Sequence, residues 1–380
     1  MKKCCKNIDI KDVNTVRPFI RECVYRHKNK KKFKKLFKAL DTDDLDEAIN
    51  KLAIITTSAI RARTVPIFTP TYCVKLDSTC LKERLIGSET AYQQVFDYIV
   101  VRSCEELWRK RIVLQQCSSV KGRGQIYGVK MIRSYIVNDN KTFEYAKFHK
   151  LHYSRKCKYF VKLDVRHCYQ SINHNILMNL LRHDTKNDDI LYLWETLLKS
   201  YKTVDGCNGL LIGALPSQWA AQFILSFLYR YAMGNKSVSH MVMFMDDMVL
   251  FSGNRRKLRQ AVDSLIKYAS DVLGLTIKPN WHIKKLTDCG IDMMGYVVRA
   301  DGKITIRARN FIHARRLVLR YRRTGVLSYK QAKRLVSYKG FFKYSNCRNV
   351  SQQMKLPIVF HKAQSIIGRI ERKKENESLL

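Results

Sequence analysis

The sequence predicts an α+β protein: helices at both ends, and between them short apolar β-runs forming an antiparallel sheet with helices around it. Three observations carry this. Near the N-terminus, HKNKKKFKKLFKAL sets Phe33, Leu36, Phe37 and Leu40 at the i, i+3, i+4, i+7 spacing of one helix face, with lysines on the remainder. In the middle, KYFVKLDV (158–165) and HMVMFMDDMVLFSG (240–253) are β-type runs, the second broken by Asp246 and Asp247 as a hairpin tip. From Arg309 the pattern is again helical and strongly basic. With 46% apolar and 11% aromatic residues the chain can build a real core, which excludes wholesale disorder. Its 380 residues suit two or three compact units at roughly 150 residues each.

The elements follow in order. Residues 1–65 read as basic helices, and Pro66 to Leu76 as a strand-like piece. LKERLIGSETAYQQVFDYIVV turns helical around Ala91. Two glycines flank Arg123 in a turn before a helix, a pattern too common to signal phosphate binding alone. LLIGALPSQWAAQFILSFLYRYA (210–232) passes from a Gly/Pro loop into a helix apolar almost all round, hence a buried one. A helix over Lys257–Leu273 precedes a short strand near Thr276–Lys278. GIDMMGYVV and KITIRA then pair around Asp301-Gly302, and Ser328 is positioned to cap YKQAKRLVSYKGFF.

The charge is the outlier. Lys and Arg number 71 against 32 Asp and Glu, a formal +39. Such an excess repels itself unless an anion neutralises it, and nucleic acid is the foremost candidate, ahead of a membrane surface. No run reaches the ~18 apolar residues of a membrane span, and MKKCCKNIDI lacks the apolar stretch of a secretory signal. Twelve scattered cysteines without CxxC pairs fit thiols in a reducing cytoplasm. Six prolines and no Ser/Gly-rich stretch leave no flexible linker, and no repeat is found.

Two adjacent carboxylates in apolar strands push one pKa upward unless a divalent cation favours the charged form. Asp164 also ends an apolar β-run. Three acids offered from strand ends can hold two Mg²⁺ ions about 4 Å apart, the arrangement for in-line attack of a hydroxyl on phosphorus. An isolated Asp-Asp pair equally makes a plain turn; Asp164 and the global charge weigh against that reading. Tyr169, five positions on, could close over a nucleotide sugar and reject a 2′-hydroxyl, or be a core tyrosine.

KLDVRHCYQSINHNIL, IGALPSQWAAQ, FMDDMVLF, GLTIKPNW and GIDMMGY together resemble the successive palm motifs of reverse transcriptases, over roughly residues 65–345. FMDD is similar to the YMDD box, and IGALPSQ is most similar to diversity-generating retroelement enzymes; retron and antiphage-defence reverse transcriptases are neighbours. The resemblance implies a right-hand polymerase fold: an N-terminal extension (1–65), fingers with the start of the palm (66–157), palm (158–300), helical basic thumb (301–350) and C-terminal tail (351–380). It implies Asp164, Val165, Asp246 and Asp247 at two Mg²⁺ ions, with Mn²⁺ a substitute, and Asp164, Asp246 and Asp247 as the catalytic acids. Lys82 and Arg84 would meet the triphosphate, and Tyr169, Ile212, Gly213 and Gln218 would line the nucleotide pocket. Lys278 would act as general acid for the leaving pyrophosphate. Gly290, Met294, Gly295 and Tyr296 would form the primer grip, and Arg315 and Arg316 would hold the duplex. An aliphatic residue at Ile212 is associated in that group with error-prone copying, since it cannot hydrogen-bond as Gln can.

Phe244 departs from the Tyr of the box, and Gln222 from the usual Asn. The stretch after Tyr296 is too short for a nuclease domain of ~100 residues beside the basic helices, so no RNase H or endonuclease activity is expected. The partners implied are an RNA template, which includes a dedicated structured noncoding RNA, a DNA primer and product, dNTPs, an accessory protein or second copy, and no membrane. The implied location is the cytoplasm of a bacterial or phage host. Two rival expectations stand beside error-prone copying: an antiphage-defence enzyme copying its own noncoding RNA, and a non-catalytic RNA-binding scaffold.

Overall fold

The computed structural model describes residues 3–77, 82–201 and 209–379. From the N-terminus come α1 (Val13–His27), α2 (Lys31–Ala39), α3 (Leu45–Arg61), the strands β1 (Thr71–Asp77) and β2 (Lys82–Ser88), α4 (Ala91–Ser103) and α5 (Glu105–Arg111). Next are α6 (Gln125–Phe148), β3 (Tyr159–Asp164), α7 (Cys168–Ser171), α8 (His174–Asp184), α9 (Asp188–Lys199) and α10 (Leu215–Gly234). β4 (His240–Phe244), β5 (Asp247–Ser252), α11 (Arg255–Asp271), β6 (Lys284–Lys285), β7 (Ile291–Met293), β8 (Tyr296–Val298) and β9 (Ile304–Ile306) follow. The chain ends in α12 (Ala308–Thr324), α13 (Tyr329–Lys343), α14 (Arg348–Gln353) and α15 (Leu356–Leu379).

Local chemistry sets many of these boundaries. Asp12, Asp44, Asn173 and Asn187 each cap a helix by accepting backbone N–H bonds. Ser328 and Gln331 form a reciprocal capping box at the start of α13. α10 buries Ala220, Phe223, Ile224, Leu225 and Leu228, as an all-round apolar helix must.

The chain divides into two compact units. The first comprises Met1–Ser119, Leu163–Asn235 and Ala261–Asn280. Here α1, α3, α4, α5, α9 and α10 pack together around residues such as Ile20, Leu52, Phe96 and Trp194. The second comprises Val120–Lys162, Lys236–Gln260 and Trp281–Leu380. Its centre is a four-stranded sheet of order β4-β5-β3-β6; β3 starts in this unit, and its last residues, Leu163 and Asp164, belong to the first. α6 lies on this sheet, with the Tyr135 ring stacked on His240 at 4.1 Å.

Three expectations change. Thr276–Lys278 makes an isolated antiparallel bridge, Val165 to Ile277, in place of a strand. The hairpin of GIDMMGYVV with KITIRA around Asp301-Gly302 is present as β8 and β9, but GIDMMGYVV also folds on itself as β7 and β8, which makes a three-stranded sheet. Residues 351–380, read as a tail, carry α15, whose Leu356, Val359, Phe360 and Ala363 join Val318 and Leu335 in one buried cluster. Among the described residues no helix is long and apolar enough to cross a membrane, and the ten described cysteines are free thiols.

Candidate active site

In the first unit, β3 ends at Asp164, which is clipped by the segment running antiparallel to it. Lys278 N donates to Asp164 O at 2.9 Å, and Arg166 N to Thr276 O at 2.7 Å. This backbone pairing carries the Lys278 ammonium to 2.5 Å from Asp164 Oδ1. That oxygen is shielded from solvent and is already occupied by the Lys278 ammonium, so a cation there would share or displace this ion pair. Val165 is fully buried and bridges Ile277.

Tyr169, half-buried on α7, accepts the Leu210 N–H at 2.8 Å through its carbonyl. Leu210 leads into the loop that holds Ile212 and Gly213. The Ile212 carbonyl accepts the Gly87 N–H at 3.0 Å. Gly213 has φ +117°, and a Cβ there would lie 2.8 Å from the Gly87 carbonyl oxygen; one on Gly87 would overlap Leu211. Two glycines thus let β2, the strand of Lys82 and Arg84, dock on the Ile212 loop. The side chain of Lys82 lies outside the described residues, and Arg84 is exposed opposite Lys75. Gln218 is half-buried on α10 and, with Gly213, borders a cavity of about 230 Å³.

That cavity also reaches a buried acid pair that sequence reasoning misses. Asp97 and Glu89 are 1% and 4% exposed, and Tyr201 donates to both, at 3.4 and 3.3 Å. Burial pushes both carboxyls above their ordinary range. Glu89 and Asp97 lie eight positions apart across a helix start, and no local pattern announces their pairing.

In the second unit, Phe244 pairs with Asp247, leaving Met245 and Asp246 as a two-residue tip. Met245 adopts φ +54°, a region that a bulky side chain enters only under constraint. The tip acids are half-buried, while Met241 to Met243 and Met248 to Phe251 are fully buried. Met294 and Gly295, both at positive φ, make the corresponding turn between β7 and β8. Tyr296 directs its ring inward, 5.1 Å from Phe341, and its hydroxyl donates to Gly340 O, so this side chain is used in packing. Gly290 lies against Val297. Arg315 and Arg316 are exposed on α12, whose Ala314 and Val318 face inward.

Among the described residues no group of three or more His, Cys, Asp and Glu side chains is gathered as a metal cage. Carboxylate oxygen is the donor type that Mg²⁺ and Mn²⁺ take.

The family model for reverse transcriptase (RNA-dependent DNA polymerase) matches residues 99–297, just over half of the chain. The chain belongs to that family. Its architecture is mixed helix and antiparallel sheet. Among solved structures it is similar to the telomerase of Candida albicans in complex with a fragment of telomeric RNA, at 13% identity and TM-score 0.44, over 78% of this chain and 55% of that one. The apo telomerase of Candida tropicalis, truncated from its C-terminal domain, gives 11% identity and TM-score 0.43, over 69% and 66%. The chain thus spans between half and two thirds of those structures. No curated protein sequence matches it.

Proposed function

We propose that the chain copies an RNA template into DNA by two-metal nucleotidyl transfer, in the error-prone manner of diversity-generating enzymes. The observation that carries the reading is the sheet order: β3 and β5 are neighbours, and each bears an aspartate at a terminus, Asp164 and Asp247, on a largely apolar strand. Asp164, Val165, Asp246 and Asp247 are the residues that would hold the cations. When bound, two Mg²⁺ ions would activate the primer 3′-hydroxyl and stabilise charge on the α-phosphate.

The remaining roles belong to the chain itself. Lys278, already paired with Asp164, holds a proton at Nζ for the departing pyrophosphate. Lys82 and Arg84 neutralise the triphosphate, Tyr169 closes on the sugar, and Ile212, Gly213 and Gln218 shape the base pocket. The aliphatic Ile212, half-buried and fixed through its carbonyl, offers no polar group to penalise a misplaced base. Residues 66–157 act as fingers, 158–300 as palm and 301–350 as thumb. In the thumb, desolvation first and then Arg309, Arg334 and Arg316 hold His313 below its ordinary pKa, a sign of the positive field that would meet phosphates.

The test is dNTP incorporation on an RNA template by Asp246→Asn and Asp247→Asn. Loss of synthesis supports the reading; undiminished synthesis removes it. Sequencing the products of an Ile212→Gln variant tests the error-prone element, which predicts fewer misincorporations.

A further inference from the structure

The central sheet has a second end. β5 runs six residues from Asp247 to Ser252, so its far terminus lies roughly 17 Å from the acidic tip. At that end the approach to β3, the approach to β4 and the exit from β5 converge on a pocket of about 340 Å³. Its cations are Arg155, Lys156, Lys236 and Lys257; the other lining residues are serines, Gly253 and Asn254, and none is acidic. Lys156, Lys236 and Lys257 are exposed. Arg155 is anchored by Asp139 and Asn140, so its guanidinium stays at the rim.

Beside it, the first turns of α11 and residues 281–283 form a second hollow of about 410 Å³. Arg255, Arg256 and Arg259 line it with Trp281 and His282, again without an acid. Arg259 lies over the Trp281 ring, 4.6 Å from its centroid. His240, which opens β4 at this end, is held below its ordinary pKa by desolvation first and by the Lys156 charge second.

Clustered cations of one sign cost free energy unless an anion meets them. Lysines with hydroxyls suit phosphate and ribose, and arginines beside a tryptophan suit a stacked base. We propose that this end of the sheet is a second RNA-binding surface, which holds phosphates in the Lys156–Lys236–Lys257 pocket and an unpaired base against Trp281. Only the identity of the nucleic acid rests on the RNA-directed reading of the other end. The separation exceeds the length of one nucleotide, so this surface grips RNA remote from the nucleotide being copied.

The test is fluorescence anisotropy with the full chain and a labelled RNA hairpin bearing a single-stranded tail. Lys156→Gln/Lys236→Gln/Lys257→Gln and Arg255→Gln/Arg256→Gln change solvent-facing side chains. Each set should weaken RNA binding roughly tenfold at 0.15 M KCl, and flatten the slope of log K against log salt by roughly 0.7–0.9 for every phosphate left without its cation. Trp281→Ala should weaken the tailed RNA roughly tenfold and spare blunt duplex. Single-nucleotide incorporation on a short primer–template should persist in all three. Unchanged RNA affinity and salt slope in both charge variants would overturn the proposal, as would loss of binding to an acidic peptide alone. Asp246→Asn, run in parallel, should keep full affinity for the hairpin; its failure to bind would contradict a separate surface. Its undiminished incorporation would sink the catalytic reading and leave this one standing.

Discussion

The two ends of the β4–β5 hairpin are built from one pair of strands and have opposite chemistry. At the tip, Asp246 and Asp247 are half-buried beside Met245 at φ +54°. At the base, three exposed lysines ring a pocket of serines with unstrained backbone on either side of Gly253. Between the ends, the run from Met248 to Phe251 is fully buried and apolar. A rigid apolar ladder thus keeps acids and bases roughly 17 Å apart, where they cannot neutralise one another. Few and constrained charges suit chemistry; many solvated ones suit grip.

That contrast can be broken or sharpened by substitution. The largest effect belongs to the tip: Asp246→Asn should lower dNTP incorporation on the order of a thousandfold, as several kcal/mol of charge stabilisation is lost. The lysine triple variant, assayed on the same short primer–template, should remain near wild type. Comparable losses in both would erase the division of labour.

Next comes the nucleotide pocket. Gly213→Ala has to accommodate φ +117° and a Cβ 2.8 Å from the Gly87 oxygen, so about 1–3 kcal/mol of stability should go. Steady-state kinetics should show KM for dNTP rising more than kcat falls. A thermal melt identical to wild type would mean the Gly87–Gly213 approach is not fixed.

Met245→Gly relieves a left-handed residue and should add about 1 kcal/mol, seen as a higher melting temperature. Incorporation should fall all the same, because the freed tip no longer fixes Asp246. Greater stability with full activity would show the strain to be incidental.

The smallest effect concerns the base and pH. His240 binds its proton less readily in the folded chain than in the unfolded one. Stability from this group is therefore present above the unfolded pKa near 6.5, and is lost as pH falls towards the depressed folded value. Urea midpoints should decline from pH 7 to 5, and less so in His240→Phe, which keeps the stack on Tyr135. An equal decline in both would acquit this histidine.

The sequence exposed what is local. Apolar runs on either side of Asp246–Asp247 specified the hairpin, and Ser328 with Gln331 specified the start of α13. Pairings between distant stretches were hidden. Thr276–Lys278 has strand-like residues, yet it pairs only through the Val165–Ile277 bridge, because β3 already ends there. Gly87 gave a faint signal, a glycine inside a strand, but its partner loop lies more than 120 residues on. Glu89 and Asp97 gave none, since their coupling depends on Tyr201 and on burial. The basic end of the sheet escaped notice because its lysines are scattered from Lys156 to Lys257.

The most direct measurement is Mn²⁺ binding followed by electron paramagnetic resonance, on the wild type and on Asp164→Asn and Asp246→Asn singly, with dNTP present. If acids from β3 and β5 share the same ions, two Mn²⁺ bind per chain, and either substitution weakens both. Binding that is unchanged in Asp164→Asn, or two ions lost independently, would show that these strand ends do not act as one centre.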